Sequence, residues 1–192
     1  MKILQKSQIQ EADRQTILME PVTSIELMER SAKACFKWIC QNYNTDQKFS
    51  LLCGTGNNGG DGLALYRMLC KKKYSCTLFE YSLGNKPTDD YVQNKLKIGN
   101  KKINALSLES FSIIQKNEII IDALLGTGLN RPVKGTLKKI IQAINALPNI
   151  VLSIDIPSGL FSDFNSGNPP DSIVQAKHTL SFQMPKLSFF LP

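Results

Sequence analysis

The sequence predicts an α/β protein with three layers, in which a mostly parallel sheet lies between two layers of helices. Short apolar or β-branched runs at 49–53, 76–81, 118–125 and 150–156 have the length and composition of strands. Helical or loop segments separate these runs, and this alternation is typical of parallel strands joined by crossover helices. We treat all 192 residues as one domain, because this length can bury one core and is too short for two.

Two helices are expected before the first strand. Ser7 with Gln10, and Thr23 with Glu26, have the three-residue spacing of a capping box, in which side chains satisfy free N–H groups of the first turn. After Thr23, apolar residues recur at helical spacing and predict one face that packs on the core. These residues are Ile25, Met28, Ala32, Phe36 and Ile39. We expect them to contribute packing rather than chemistry.

Three more helices are expected between the strands. They correspond to LALYRMLCKKK after a glycine-rich segment, to TDDYVQNKLK from Thr88, and to GTLKKIIQAINAL before Pro148. A weaker run, INAL at 103–106, predicts an additional strand. The sequence shows no internal repeat, low-complexity tract or linker.

Composition excludes several classes of protein. The apolar fraction of 42% and the charged fraction of 20% are those of a globular protein. No apolar run approaches the roughly 18 residues of a membrane span. The N-terminal sequence lacks the apolar core of a secretory signal, so we expect a cytoplasmic location. The net charge is +7, but the lysines at 71–73 end a predicted helix, where cations favour the dipole, so we do not expect nucleic-acid binding.

The cysteines and the histidine restrict which metal sites and catalytic groups the protein can contain. The cysteines form no CxxC pair and lie in apolar contexts, so we expect buried free thiols. They are Cys35, Cys40, Cys53, Cys70 and Cys76. His178 is the only histidine, which excludes multi-histidine metal sites and disfavours Ser–His and Cys–His catalysis.

Three polar segments follow predicted strands and are the first candidates for a binding site. They are GTGNNGGDG at 54–62, DALLGTGLNRPVKG at 122–135 and DIPSGL at 155–160. Because ligands of open parallel sheets bind beyond the carboxyl ends of the strands, we expect the three segments to meet at one cleft. Taken alone, each could also be an ordinary turn, since glycine and asparagine suit turn geometry.

The first segment has a second interpretation. Gly54, Gly56 and Gly59 fit GxGxxG, and Glu80 ends the next strand near the distance at which a Rossmann acid holds a ribose hydroxyl. This pattern favours a Rossmann-like fold and leaves open an NAD(P)-dependent oxidoreductase. It does not explain the two asparagines and the aspartate of the segment. A Walker A loop is excluded, because no GK[ST] follows.

Motifs along the whole chain carry a family resemblance. They are GTGNNGGDGL, IIDALLGTGLNRPVKG and LSIDIPSGL, together with IQEADRQTI, SIELMERSA and AKHTLSFQMPKLSFFLP. With these motifs the chain resembles the YjeF N-terminal domain family, the NAD(P)H-hydrate epimerases. The resemblance implies one such domain over 1–192, and an isomerase that interconverts the R and S forms of the hydrated cofactor NAD(P)HX at C6 in metabolite repair.

The resemblance also implies which residues bind. The substrate contacts are Asn57, Asn58, Gly59, Gly60, Asp61, Gly126, Thr127, Gly128, Leu129, Asn130, Arg131, Pro132 and Asp155. Asn58, Asp122 and Ser158 fall where the family holds a potassium ion, and their amide, carboxylate and hydroxyl or carbonyl oxygens suit a hard cation. The N–H groups of the glycine-rich segment can cradle phosphate.

Asp155 is the predicted acid and base. In NAD(P)HX the hydroxyl is on a carbon bonded to a ring nitrogen, so the nitrogen lone pair can expel the hydroxyl once it is protonated. Water then returns to either face of a planar, iminium-like centre. A carboxyl group can donate the first proton and accept the second. The alternative role of Asp155 is to bind the substrate through hydrogen bonds alone.

The resemblance leaves some alternatives and partners open. Some relatives of the fold are scaffolds, so an RNA- or protein-binding module is a further alternative, although such modules are expected to lose Asn58, Asp122, Asp155 and Ser158.

After DIPSGL the chain reads FSDFNSGN and departs from the family pattern. The family continues beyond Pro192, so we expect a piece of a longer protein. Expected partners are an ADP- or ATP-dependent NAD(P)HX dehydratase, in the same chain or separate, and a second copy in a homodimer.

Overall fold

A computed structural model describes residues 3–82 and 84–191. The described residues form a six-stranded sheet in which every neighbouring pair is parallel. The strands are β1 Lys48–Gly54, β2 Ser75–Tyr81, β3 Asn104–Ala105, β4 Ile119–Ala123, β5 Val151–Ile154 and β6 His178–Leu180. Their order, β3-β2-β1-β4-β5-β6, is that of a Rossmann-like sheet. The predicted fold class is confirmed.

Helices cover both faces of this sheet. They are α1 Lys6–Met19, α2 Ser24–Asn42, α3 Asn57–Lys71, α4 Asp89–Ile98 and α5 Gly135–Ala146. Apolar residues of α2, α3 and α4 pack on one face of the sheet with Leu51, and those of α5 pack on the other face with Leu52. Neighbouring strand residues point to opposite faces, so the continuous apolar run of β1 serves both cores.

The two N-terminal helices begin differently from each other. The capping box of Thr23 and Glu26 is confirmed, because the Thr23 N–H donates to Glu26 Oε2 at 2.7 Å. The capping box predicted at Ser7 is wrong, since α1 begins two residues earlier and Gln5 N–H donates to the Gln8 side chain at 2.9 Å. A parallel bridge pairs Leu4 with Lys186 just before the helix starts.

The glycine-rich segment is a helix start more than a loop. Residues from Asn57 onward already belong to α3, whose N-cap is Gly56. A Cβ at Gly59 would lie 1.8 Å from the carbonyl oxygen of Gly54, so only glycine lets the first turn of α3 approach the end of β1 so closely. The free N–H groups of that helix end therefore lie at the carboxyl end of the central strand.

The thiols are less uniformly buried than predicted. All five cysteines are free, but only Cys35 and Cys53 are buried, while Cys40, Cys70 and Cys76 are partly exposed. These three lie near the outer ends of helices and strands, where apolar sequence context does not guarantee full coverage. Among the described residues no helix combines the length and apolar character that a membrane crossing requires.

Candidate active site

A cleft of about 810 Å³ lies at the carboxyl ends of the central strands. Its walls come from the start of α3, from the segment after β4, from the end of β5, and from α1 and α2. β1 has β2 on one side and β4 on the other, so the chain switches direction across the sheet at this point. Open α/β sheets bind ligands at such switch points.

Asp155 forms a nearly buried ion pair at the inner end of the cleft. Its carboxylate lies 2.8 Å from Nζ of Lys186, whose side chain is 1% exposed, against 14% for Asp155. The Phe182 N–H donates to the same carboxylate at 3.2 Å, and Lys186 also donates to the Phe182 carbonyl at 3.1 Å. The segment after β6 thus positions Asp155, which is one of the residues that line the cleft.

Asp61 is the second acid of the cleft and has a different environment. It is buried in α3, and no described residue donates a hydrogen bond to its carboxylate. Burial raises the pKa of Asp61 well above its ordinary value, and the nearby carboxylates raise it further, Asp155 most of all. The two acids of the cleft therefore differ: the pKa of Asp61 is raised, while Asp155 is paired with a cation.

Asp122 lies beneath the cleft rather than on its wall. It is fully buried and accepts four hydrogen bonds, from Ser158 N at 2.8 Å, Ser158 Oγ at 2.5 Å, Ser153 Oγ at 2.7 Å and Leu124 N at 3.3 Å. Burial raises the pKa of Asp122, and these hydrogen bonds oppose the rise. No ion pair of the described residues involves Asp122, so the structure offers its charge no lysine or arginine.

Asn58 lines the cleft and is connected to the buried Asp122 through hydrogen bonds of Leu125 and Ser158. Its Nδ2 donates to the Leu125 carbonyl at 2.7 Å, while its Oδ1 is buried without a hydrogen-bond partner in the described part of the chain. The Leu125 carbonyl also accepts from Ser158 Oγ at 3.3 Å. An unpartnered amide oxygen, a carbonyl and a hydroxyl thus lie near one uncompensated carboxylate, which is a donor set that suits a hard monovalent cation.

The structure separates the other predicted binding residues into two groups. The cleft is lined by Asn57, Asn58, Asp61, Gly126, Thr127, Gly128, Leu129, Asn130, Arg131 and Asp155. Gly59, Gly60 and Pro132 are not part of its lining. Gly60 instead packs on Met28, whose Sδ would lie 2.8 Å from a Cβ there. The sequence could not distinguish these glycines from glycines that line the cleft, because close packing between elements and close approach to a ligand both favour glycine.

Several cleft residues were not predicted from the sequence, among them Lys186, Asp13 and Gln183. Lys186 sits in the largely apolar segment MPKLSFF, and a single lysine in such a context is the only signal that could have indicated it. Asp13 of α1 and Gln183 also line the cleft and are hydrogen-bonded to each other. Burial raises the pKa of Asp13, and the charge of Asp155 adds to the rise. Nothing in the sequence near Asp13 marks it as part of a site.

Glu80 lies near the carboxyl end of β2, but its carboxylate is engaged by other side chains. Its carboxylate accepts hydrogen bonds from the Tyr91 hydroxyl and from Lys95 Nζ, which lies 2.5 Å away. It is not among the residues that line the cleft. The acid that would hold a ribose hydroxyl is therefore engaged within the protein.

Comparison with known proteins identifies the family. The family model described as YjeF-related protein N-terminus matches residues 24–188. The chain belongs to the YjeF-related family. The match includes all three polar segments and Lys186, so most of the cleft wall lies inside the matched range, while the wall formed by α1 precedes it.

Curated relatives of this YjeF-related domain are of two kinds. The chain is 34% identical over 97% of its length to the NAD(P)H-hydrate epimerase of Anaerococcus prevotii and covers 87% of that protein. It is 32% identical over 99% of its length to the bifunctional NAD(P)H-hydrate repair enzyme Nnr of Dictyoglomus turgidum, of which it spans 37%. The chain therefore spans well under half of the bifunctional relatives.

A solved structure supports the fold of the YjeF-related domain. The crystal structure of the yeast protein ynu0 superposes with a TM-score of 0.80 at 23% identity. The similarity covers 99% of this chain and 84% of the yeast chain.

Proposed function

We propose that this protein is an isomerase that epimerises NAD(P)HX. The observation that carries the proposal is the cleft itself, which Asp155 paired with Lys186 lines together with Asp61 at the start of α3. Relatives named NAD(P)H-hydrate epimerase share this domain over most of their length. The engaged carboxylate of Glu80 gives no support to the oxidoreductase alternative.

In the proposed mechanism Asp155 transfers the proton. Its carboxylate first takes up a proton from solvent and then donates that proton to the hydroxyl at C6; the C–O bond breaks with help from the ring nitrogen lone pair, and water leaves. Water then adds to the planar centre from either face and returns a proton to the carboxylate. Lys186 stabilises the carboxylate stage of this cycle through the 2.8 Å contact, and it fixes the direction of the side chain.

The remaining cleft residues are proposed to bind and orient the substrate. The N–H groups at the start of α3 and in the segment Gly126–Arg131 can hold the phosphates, because free N–H groups and the helix dipole favour anions. Arg131 adds a positive charge at this wall. Asp61 lines the same cleft and can form a hydrogen bond with the substrate.

A potassium ion is proposed next to the substrate, held by Asn58, Asp122 and Ser158. The support is chemical: Asn58 has a buried oxygen without a partner, and Asp122 is a buried carboxylate without a cationic neighbour. When bound, the ion supplies positive charge that offsets the Asp122 carboxylate and attracts substrate oxygens.

The test of the proposed function is direct. The protein is incubated with an unequal mixture of (R)- and (S)-NADPHX, and the two epimers are followed by chromatography. We expect the mixture to reach its equilibrium ratio far faster than without protein. An unchanged rate with folded protein would refute the proposal. We also propose a cytoplasmic location, a homodimer and an NAD(P)HX dehydratase as partner.

A further inference from the structure

Besides the acids at the strand ends, the cleft has an acid on α1. Asp13 lies between Ile9 and Ile17 on the face of that helix that lines the cleft, since residues four apart share one side of a helix. Its side chain is half-buried, and no ion pair of the described residues involves it. The mechanism given for Asp155 leaves this uncompensated carboxylate unused.

One short segment after β6 holds both carboxylates. The Phe182 N–H donates to Asp155 at 3.2 Å, and the side chain of the next residue, Gln183, donates to Asp13. Lys186 of the same segment lies 2.8 Å from the Asp155 carboxylate. The two acids therefore reach the cleft from different elements, and adjacent residues fix their positions relative to each other.

Gln183 makes these two contacts from an unusual backbone conformation. Its φ is +57°, in the left-handed region that side chains other than those of asparagine and aspartate seldom adopt. The turn is closed by the Met184 N–H, which donates to the Phe182 carbonyl at 2.6 Å. Backbone held in this region is concentrated at functional sites, where the surrounding structure compensates the strain.

Inversion at C6 requires proton transfer on both faces of the substrate ring. Once the hydroxyl has left, C6 is planar, and water must enter from the face opposite to the one that the hydroxyl left. A group that transfers a proton has to lie within about 2.6–3.2 Å of the reacting oxygen. Asp155 can meet this condition on one face only, so the other face needs a group of its own.

On the basis of the proposed epimerase function, we propose that Asp13 is the second catalytic residue and that the substrate ring binds between Asp13 and Asp155. In one direction the Asp155 carboxyl protonates the hydroxyl at C6, the C–O bond breaks, and the nitrogen lone pair forms a C=N bond as water leaves. Water on the opposite face then adds to C6, the C=N electron pair returns to nitrogen, and the Asp13 carboxylate takes the released proton. In the reverse direction the two acids exchange roles. Proton exchange with solvent restores both groups.

The surroundings of Asp13 suit this role. Burial raises its pKa and the charge of Asp155 adds to the rise, while the charge of Lys186 opposes it. A carboxyl group whose pKa is shifted toward the working pH can both donate and accept a proton. The Gln183 amide engages Oδ1 of Asp13 and leaves Oδ2 for water. Asp61 has no such donor among the described residues, so nothing there fixes the direction of its carboxyl group.

The test separates loss of the hydroxyl from inversion. Each purified epimer of NADPHX is incubated with the protein in heavy-oxygen water, the epimers are separated by chromatography, and the label at C6 is measured by mass spectrometry. Asp13→Asn keeps the oxygen that accepts from Gln183 but cannot cycle a proton. Glu20→Gln is the matched control, because Glu20 follows α1, is exposed and pairs with Arg30 outside the cleft.

Asp13→Asn should lower epimerisation at least about 100-fold, the size expected for general acid and base catalysis. The epimer whose hydroxyl faces Asp155 should still gain heavy oxygen near the wild-type rate, with its configuration retained, because Asp155 can expel and return water on its own face. Asp155→Asn should label only the other epimer. Glu20→Gln should match the wild type in both measurements.

Gln183→Gly tests the hydrogen bond that positions Asp13. Glycine tolerates a φ of +57° and removes only the side chain that donates. Epimerisation should fall by less than in Asp13→Asn, while oxygen exchange in the epimer that faces Asp155 is kept. Equal losses of exchange and epimerisation would contradict the positioning role.

Two results would overturn the assignment of Asp13. One is wild-type epimerisation in Asp13→Asn, and the other is a parallel loss of epimerisation and oxygen exchange, which would indicate a structural or binding role. Both require an active wild-type protein. A folded wild-type protein that does not epimerise NADPHX would instead refute the proposed function, and the role of Asp13 would fall with it.

Discussion

Asp155 has a backbone conformation that few side chains adopt. Its φ is +63°, in the left-handed region, where aspartate and asparagine are the commonest residues after glycine. The turn directs its carboxylate toward Lys186 and the cleft at the end of β5. Strained backbone of this kind is concentrated at functional sites, where the surrounding structure holds it in place.

Asp155→Asn should lower epimerase turnover at least about 100-fold, because the amide keeps the shape and tolerates the same φ but cannot cycle a proton. NADPHX binding should stay nearly intact. Turnover and binding are measured separately, by single-turnover kinetics and by titration with a nonreactive cofactor analogue. Wild-type turnover, or a loss accounted for by weaker binding alone, would show that Asp155 only binds the substrate.

Asp61→Asn should stabilise the protein at neutral pH while it impairs activity. Because the folded-state pKa of Asp61 is raised, its protonated form favours the folded state at acid pH, and this contribution is lost as the pH rises through the folded pKa. The variant should therefore exceed wild type in Tm at pH 7.5, by about 2–4 °C for each kcal/mol that the buried charge costs. The difference should vanish near pH 4. Thermal unfolding at both pH values checks this, and an equal Tm at pH 7.5 would contradict it.

At the scale of the elements, the junction of β1 and α3 depends on one close contact. Gly59 lies against the Gly54 carbonyl so tightly that no side chain fits, whereas Gly128 has open space around its Cα and an ordinary backbone conformation. Both glycines belong to glycine-rich motifs, and their sequence contexts look alike. Their structural roles differ because only one faces a strand.

Gly59→Ala should destabilise the fold strongly. The added Cβ would meet a backbone oxygen that cannot rotate away, so the cost should reach or exceed the upper end of the about 1–3 kcal/mol typical of overpacking. Gly128→Ala is the control and should change the free energy of unfolding by less than about 0.5 kcal/mol. Urea unfolding of the two variants measures this. Equal stability would show that the first turn of α3 can move.

At the scale of the whole molecule, the proposed cation site joins three parts of the chain, since Asn58 follows β1, Asp122 lies in β4 and Ser158 follows β5. Potassium should raise epimerase activity above that in tetramethylammonium at equal ionic strength. It should also raise Tm by about 3–6 °C at ten times its Kd, which corresponds to about 1.4 kcal/mol. The rise in Tm should be lost in Asn58→Leu and kept in Asn57→Leu. Equal activity and equal Tm in the two salts would argue against the site.

The chain of residues 1–192 should equilibrate the epimers of NADPHX without restoring NADPH. No part of its sequence resembles an ATP-using dehydratase. Absorbance at 340 nm should stay flat when ATP, NADPHX and this protein are mixed, and it should rise when a separate dehydratase is added. ATP-dependent formation of NADPH with this protein alone would disprove the prediction.

The sequence by itself predicted strands β1 to β5, the parallel sheet, the family and the part of the cleft lining that the three polar segments contribute. These features depend on local signals: apolar runs of strand length, helical spacing, and polar segments placed directly after strands. Parallel strands then bring their carboxyl ends to one edge whatever the details of packing, so Asn58, Asp61 and Asp155 could be assigned to one site before the structure was known.

Only the tertiary structure decided how the acids of the site differ. Asp61, Asp122 and Asp155 are the same residue type in similar motifs, but their surroundings differ. Asp61 accepts no hydrogen bond from the described residues, Asp122 accepts four hydrogen bonds, and Asp155 forms an ion pair with Lys186, 31 positions later in the chain. That meeting requires the segment after β6 to pack beside the end of β5, and the wall formed by α1 likewise requires distant packing. Burial and charge pairing are properties of neighbours in space, and a linear sequence does not fix them residue by residue.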